Sequence, residues 1–173
     1  PPFQAEDGIR DTSRGLVGSE MCIRDSAKTM QECVEVLKPH FQENAMTTKG
    51  NIVLGTVKGD LHDIGKNLVA MMLEGAGLEV IDLGVDVTVE KVIDKVNEIQ
   101  PQVLGLSALL TTTMPEMENV INLLKDRGIR KKLKVMVGGA PVDADFAEKI
   151  GADAYGEDAA EAVTIARGFI DPQ

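Results

Sequence analysis

Residues 59–67, GDLHDIGKN, set His62 between Asp60 and Asp63 in a chain that has only two histidines. An imidazole can bind a metal through one ring nitrogen while a carboxylate accepts the proton on the other. Asp60, two residues before His62, is spaced for that supporting part. A phosphate loop is a second reading, since Gly59, Gly65 and Lys66 suggest a Walker-type pattern. It fits poorly: five residues separate the glycines instead of four, and Asn67 stands where a Ser or Thr would hold magnesium. A phosphoacceptor site is a third, but the third strand ends in Ser107 instead of an Asp, and no lysine follows the fifth. A solvated or helix-capping histidine is the ordinary alternative. Four protein ligands for zinc are not evident, because His40 and Cys33 lie on an earlier helix. A single imidazole makes chemical sense where a macrocycle fills the other metal positions.

The elements around this loop alternate. Strands are expected at 51–57, 78–84, 102–108, 133–139 and 152–156, each a short apolar run. Helices are expected at 64–77, closed by glycine, and at 88–100, capped by Thr88. Others are expected at 115–128, with proline in the first turn, at 143–151 and at 158–170. Five β/α repeats with non-alternating strands imply an α/β fold, a five-stranded parallel sheet with flanking helices. Right-handed crossovers favour the flavodoxin-like order 2-1-3-4-5, with ligands beyond the carboxyl ends of the strands. The loops GDLHDIG, SALLTTTMP and GGAP should converge there.

Upstream, AKTMQECVEVLKPHF (27–41) puts Met30, Cys33, Val34, Leu37 and Phe41 on one helical face, and QENAMTTKG reads as a linker. The first 26 residues show no sustained periodicity, and AEDGIRD and GLVGSEMCIRDS resemble peptides translated from sequencing-adapter DNA. Residues 1–26 are therefore expected to be a non-native or disordered leader. A net charge of −10 repels phosphate backbones and anionic lipid, and 3% aromatic residues leave few stacking platforms, so neither nucleic acid nor membrane is an expected partner. No apolar run reaches the ~20 residues of a membrane span. Two cysteines make no disulfide framework, which suits a reducing cytoplasm.

Three pieces together resemble the cobalamin-binding domain family: Asp60-Leu-His62-Asp-Ile-Gly65, then Ser107-Ala-Leu109, then Gly138-Gly139, in order and on successive strand ends. The likeness covers residues 49–170. Within the family, GTVKGDLHDIGKNLVAMMLEGAG, EVIDLGVDV and GLSALLTTTMPEM look most like the small corrinoid proteins of methylamine methyltransferase systems, trimethylamine and dimethylamine types foremost.

The resemblance implies that cobalamin binds base-off, with His62 as lower axial cobalt ligand, Asp60 on its far nitrogen and the Thr113 hydroxyl behind Asp60. It implies that Ser107 touches the benzimidazole and that Gly65, Gly138 and Gly139 let the nucleotide tail approach. Tyr155 and Gly156 would line the far end of the slot, with Asp63, Ile64, Leu109 and Thr111 alongside in the same loops. Residues 27–48 would be the last helix and linker of a truncated helical cap, and 49–173 the cobalamin-binding domain. The implied function is methyl carriage. One methyltransferase donates the methyl group, a second passes it to an acceptor thiol or folate, and a reductive activase maintains the cofactor. Other members of the family suggest a cobalamin subunit of an adenosylcobalamin-dependent mutase, or a cobalamin-sensing regulatory domain.

Overall fold

Five short strands pair side by side in the order β2-β1-β3-β4-β5, all parallel. They are β1 (Asn51–Thr56), β2 (Glu79–Asp82), β3 (Val103–Ser107), β4 (Lys134–Gly138) and β5 (Ala154–Gly156). This is the order expected from the repeats. The computed structural model describes residues 50–171 together with Thr29, Glu32, Cys33 and Val36. The chain divides into two units, residues 1–39 and 40–173, and the sheet belongs to the second. In the first, the four described residues are helical and exposed. The rest of the expected 27–41 helix, the linker up to residue 49 and the leader lie outside the described residues.

Four helices join the strands and a fifth follows β5: α1 (Ile64–Gly75), α2 (Val89–Ile99), α3 (Met114–Asp126), α4 (Ala144–Ile150) and α5 (Ala159–Ile170). Local chemistry fixes several of their starts. Thr88 accepts the Lys91 amide, Asp143 that of Phe146 and Asp158 that of Glu161, satisfying first-turn donors that have no partner within the helix. Pro115 stands in the first turn of α3, where its missing N–H costs nothing. The observed strands are one to three residues shorter than the apolar runs, though Val57, just past β1, still bridges to Val87. A short 3-10 turn, Arg130–Lys132, precedes β4 and was not among the expected elements.

Alternation along the strands makes two cores. Val53, Leu104, Leu106, Val135 and Val137 face α2, α3 and α4. Ile52, Leu54, Val103 and Met136 face α1 and α5. Both faces are covered, which is why the strands read as continuous apolar runs. Full burial of side chains such as Ile52, Leu104 and Ile121 contributes about 2 kcal/mol each. Polar loops are thus left to the two edges of the sheet. Among the described residues no helix is long and apolar enough to cross a membrane.

Candidate cobalamin site

At the carboxyl edge, β1 runs into the loop that holds His62. Gly59 adopts a left-handed φ of 80°, and its N–H donates to Asp86 Oδ1 at 2.8 Å. The Asp86 N–H in turn donates to the Asp60 carbonyl at 3.0 Å. Thr56, fully buried at the end of β1, donates its hydroxyl to the His62 carbonyl at 3.0 Å. The backbone on both sides of Asp60 is therefore pinned before its side chain is considered.

Asp60 has no exposed surface. Its Oδ1 accepts the His62 N–H at 3.1 Å and lies 2.7 Å from His62 Nδ1. Its Oδ2 accepts the N–H groups of Leu109 at 2.7 Å and Leu110 at 3.1 Å, and the Thr113 hydroxyl at 2.8 Å. Burial pushes this carboxyl up. The Leu109 N–H, the two His62 donors and the Thr113 hydroxyl outweigh burial and hold it far below the usual carboxylate range. Asp60 is thus an anion that can only accept, so His62 Nδ1 carries a proton and Nε2 is the ring nitrogen whose lone pair a metal could use. The ring is half exposed, its side chain at 51%, and can present that lone pair outward.

The structure brings Asp60, His62 and Thr113 together in one cluster, and Leu109 joins it through its N–H. Leu61, Leu109 and Leu110 are exposed on the two loops that meet at Asp60. Asp63 and Ile64 start α1; Asp63 accepts from Asn67 Nδ2 at 3.1 Å. Thr111 is exposed on the loop before α3. Lys66, the lysine of the phosphate-loop reading, is buried and occupied: its ammonium pairs with Asp82 and lies 2.7 Å from Asn67 Oδ1. It is not free to meet a phosphate.

A second feature was not legible in the spacing. Sheet register aligns Thr56 with Ser107, Ser107 with Gly138, and Gly138 with Gly156. Two residues earlier on β1, β4 and β5, Leu54, Met136 and Ala154 belong to the core under α1 and α5, so alternation turns the aligned row toward those helices. These four small residues stand at one level, and at Gly156 the helix already closes in: a Cβ there would meet Ala162 of α5 at 3.4 Å. Gly65, in the first turn of α1, is exposed, and a Cβ added there would meet nothing within 4 Å. Gly139 has a structural duty of its own: at φ 131°, a Cβ there would fall 1.9 Å from the Ala108 carbonyl oxygen. Tyr155 packs with the other core and so lies on the sheet face opposite to Gly156. Thr56 and the backbone donors at 109 and 110 are further members of the site that sequence reasoning missed.

These residues suit a corrinoid. Among the described residues no three His, Cys, Asp or Glu side chains gather to hold a metal, so His62 has one lone pair to offer a metal otherwise coordinated by its own ring. Exposed leucines stand on the loops that meet at Asp60, and small residues occupy the ends of β1, β3, β4 and β5. Residues 50–164 match the B12 binding domain family. The chain belongs to that family.

A dimethylamine corrinoid protein of Methanosarcina mazei is 50% identical over 146 residues, which are 84% of this chain and 87% of that protein. The solved monomethylamine corrinoid protein of Methanosarcina barkeri superposes with a TM-score of 0.77 at 39% identity, over 82% of this chain and 67% of that one. The methanol:cobalamin methyltransferase complex of the same organism gives a TM-score of 0.70 at 38% identity, covering 86% of this chain and 56% of the matched chain. As a B12-binding domain the chain takes cobalamin as its cofactor.

Proposed function

We propose that this B12-binding domain is the methyl-carrying corrinoid protein of a methylamine methyltransferase system, with cobalamin base-off and His62 beneath the cobalt. The observation that carries the axial role is the Asp60–His62 pair. A buried anion 2.7 Å from Nδ1 supports a proton on that nitrogen and leaves Nε2 as the one that would serve as ligand. The identity to a dimethylamine corrinoid protein supports the choice of system.

Bound cobalamin supplies a cobalt centre able to accept and give up a methyl group. The chain's own residues do the rest. Asp60 makes the imidazole a stronger donor by drawing on the Nδ1–H, and Thr113 with the Leu109 and Leu110 amides keeps that carboxylate in place. A proton and a metal compete for the same Nε2 lone pair. The anion beside Nδ1 would strengthen the hold of Nε2 on a cobalt placed there. The nucleotide tail would take the small-residue end of the sheet at Ser107, Gly138 and Gly156, entering past Gly65, with Gly139, Asp63, Ile64 and Thr111 on the adjoining loops; Tyr155, on the other face of the sheet, would have no part in it. Residues 27–48 contribute the last helix of a cap, in keeping with helical Thr29, Glu32, Cys33 and Val36.

The partners are a methyltransferase specific for the methylated amine, a second that passes the methyl group to a thiol or folate, and a reductive activase. A solved relative taken from a methanol:cobalamin methyltransferase complex supports the first kind of partner.

The test is the absorption spectrum of the full chain loaded with hydroxocobalamin, beside that of His62→Ala, with bound cobalt quantified in both. A histidine-ligated spectrum that disappears in the variant is the expected result. Identical spectra at equal loading would remove His62 from the axial position. Methyl uptake by the loaded, reduced protein from dimethylamine and its methyltransferase checks the carrier role.

A further inference from the structure

The amino edge of the sheet, opposite His62, concentrates positive charge. Residues 125–134, KDRGIRKKLK, hold six cations and one acid in a chain of net charge −10. They run from the end of α3 through the 3-10 turn into β4. Lys125, Arg130, Lys131, Lys132 and Lys134 line a groove of about 570 Å³, with Asp153 the acid among its lining residues.

Two of these cations hold the frame. Arg130 Nη2 lies 2.7 Å from Asp153 Oδ2 and donates to the Gly151 carbonyl, while Lys134 Nζ lies 3.1 Å from Asp153 Oδ1. Lys134 also sits 5.5 Å from the centroid of the Phe169 ring. Arg130 Nε is buried without a hydrogen-bond partner, so its guanidinium is still undersatisfied. Lys125, Lys131 and Lys132 are exposed and form no ion pair with any described residue. One carboxylate cannot balance five cations. The surplus stands on a fixed turn and a helix end, not on a loose tail.

We propose that this groove docks an acidic segment of a partner protein. A long polyanion is disfavoured because the rest of this acidic chain would repel whatever left the groove. The free lysines are distributed between α3 and the turn, which suits successive carboxylates better than one phosphate. The proposal rests on the carrier reading for its use. A carrier must open its His62 face to more than one enzyme in turn, and an attachment at the far edge can persist through those exchanges.

The experiment uses the full chain, with and without cobalamin, and a fluorescein-labelled twelve-residue peptide of glutamate and aspartate, followed by anisotropy at low ionic strength. Lys132→Glu should weaken binding about fivefold, and Lys131→Glu with Lys132→Glu tenfold or more. Lys95→Glu on α2, with the same change in net charge as Lys132→Glu, should have little effect. Equal weakening by Lys132→Glu and Lys95→Glu would show general electrostatics and overturn the proposal, as would no binding by the wild type. Displacement of the peptide by inorganic tripolyphosphate at concentrations that saturate the groove would reassign it to phosphates. The cobalamin spectrum should be the same in all these variants. A failed peptide result with an intact spectrum rejects the dock alone, and a lost His62 spectrum with intact peptide binding rejects the ligand alone.

Discussion

Two aspartates, one at each edge of the sheet, are both held below the ordinary carboxylate range, and for different reasons. Asp60 at the carboxyl edge is met by three backbone N–H groups, a hydroxyl and an imidazole N–H. Asp153 at the amino edge is pushed up by partial burial, then brought down by the Val135 N–H and by Lys134 and Arg130. The Asp153 charge is cancelled by cations. That of Asp60 is solvated by dipoles and remains whole, so it can act on His62. A buried carboxylate with neutral donors is an electrostatic tool, and one with cations is a fastener.

The sharpest break of this comparison is Asp60→Asn. Either orientation of the amide turns its NH₂ toward donors, the two of His62 or the three around Oδ2. Stability should fall by about 3 kcal/mol in urea unfolding, from buried donors left unpaired, and the histidine-ligated cobalamin spectrum should weaken. The acid limb carries the same signature. A carboxyl whose folded pKa is depressed contributes stability that is complete above its unfolded value, about 3.9. That contribution is lost as pH falls below that value toward the folded one. Wild type should therefore lose stability steeply below about pH 4, and Asp60→Asn should show a flatter limb; equally steep limbs would refute the assignment.

Thr113→Val should cost about 1 kcal/mol by removing one donor from Asp60. Thr113→Ser, which keeps the hydroxyl, should restore the cobalamin spectrum if not all of the stability. A serine variant no better than valine would reduce Thr113 to packing.

The smallest effect belongs to Asp153→Asn. Its two ion pairs lie near the surface, so about 0.5–1 kcal/mol is expected, shrinking as salt is added, with no change in the cobalamin spectrum. A loss as large as that of Asp60→Asn would erase the distinction between the two edges.

The strand order was legible because buried apolar runs, capping residues at Thr88, Asp143 and Asp158, and right-handed crossovers leave few arrangements. The pairing of Asp60 with His62 was legible because two residues of separation keep both side chains on one short loop. The Leu109 and Leu110 donors were not, since backbone N–H groups have no signature in a side-chain alphabet. Nor was Thr56, whose apolar run gave no sign that its hydroxyl would reach back to the His62 carbonyl. The phosphate-loop reading of Lys66 already failed on glycine spacing and on Asn67, and the position of Asp82 on β2 shows where the lysine's charge goes.

By itself the sequence determined the alternation of elements, the acidic character and the identity of the one imidazole at the mouth of β1. Periodicity, caps and loop chemistry are local, acting over a few residues. The tertiary structure decided which atoms surround Asp60, that Thr56, Ser107, Gly138 and Gly156 share one level of the sheet, and that the basic run 125–134 faces away from His62. Those facts depend on register between strands dozens of residues apart, which is set by packing the two cores together.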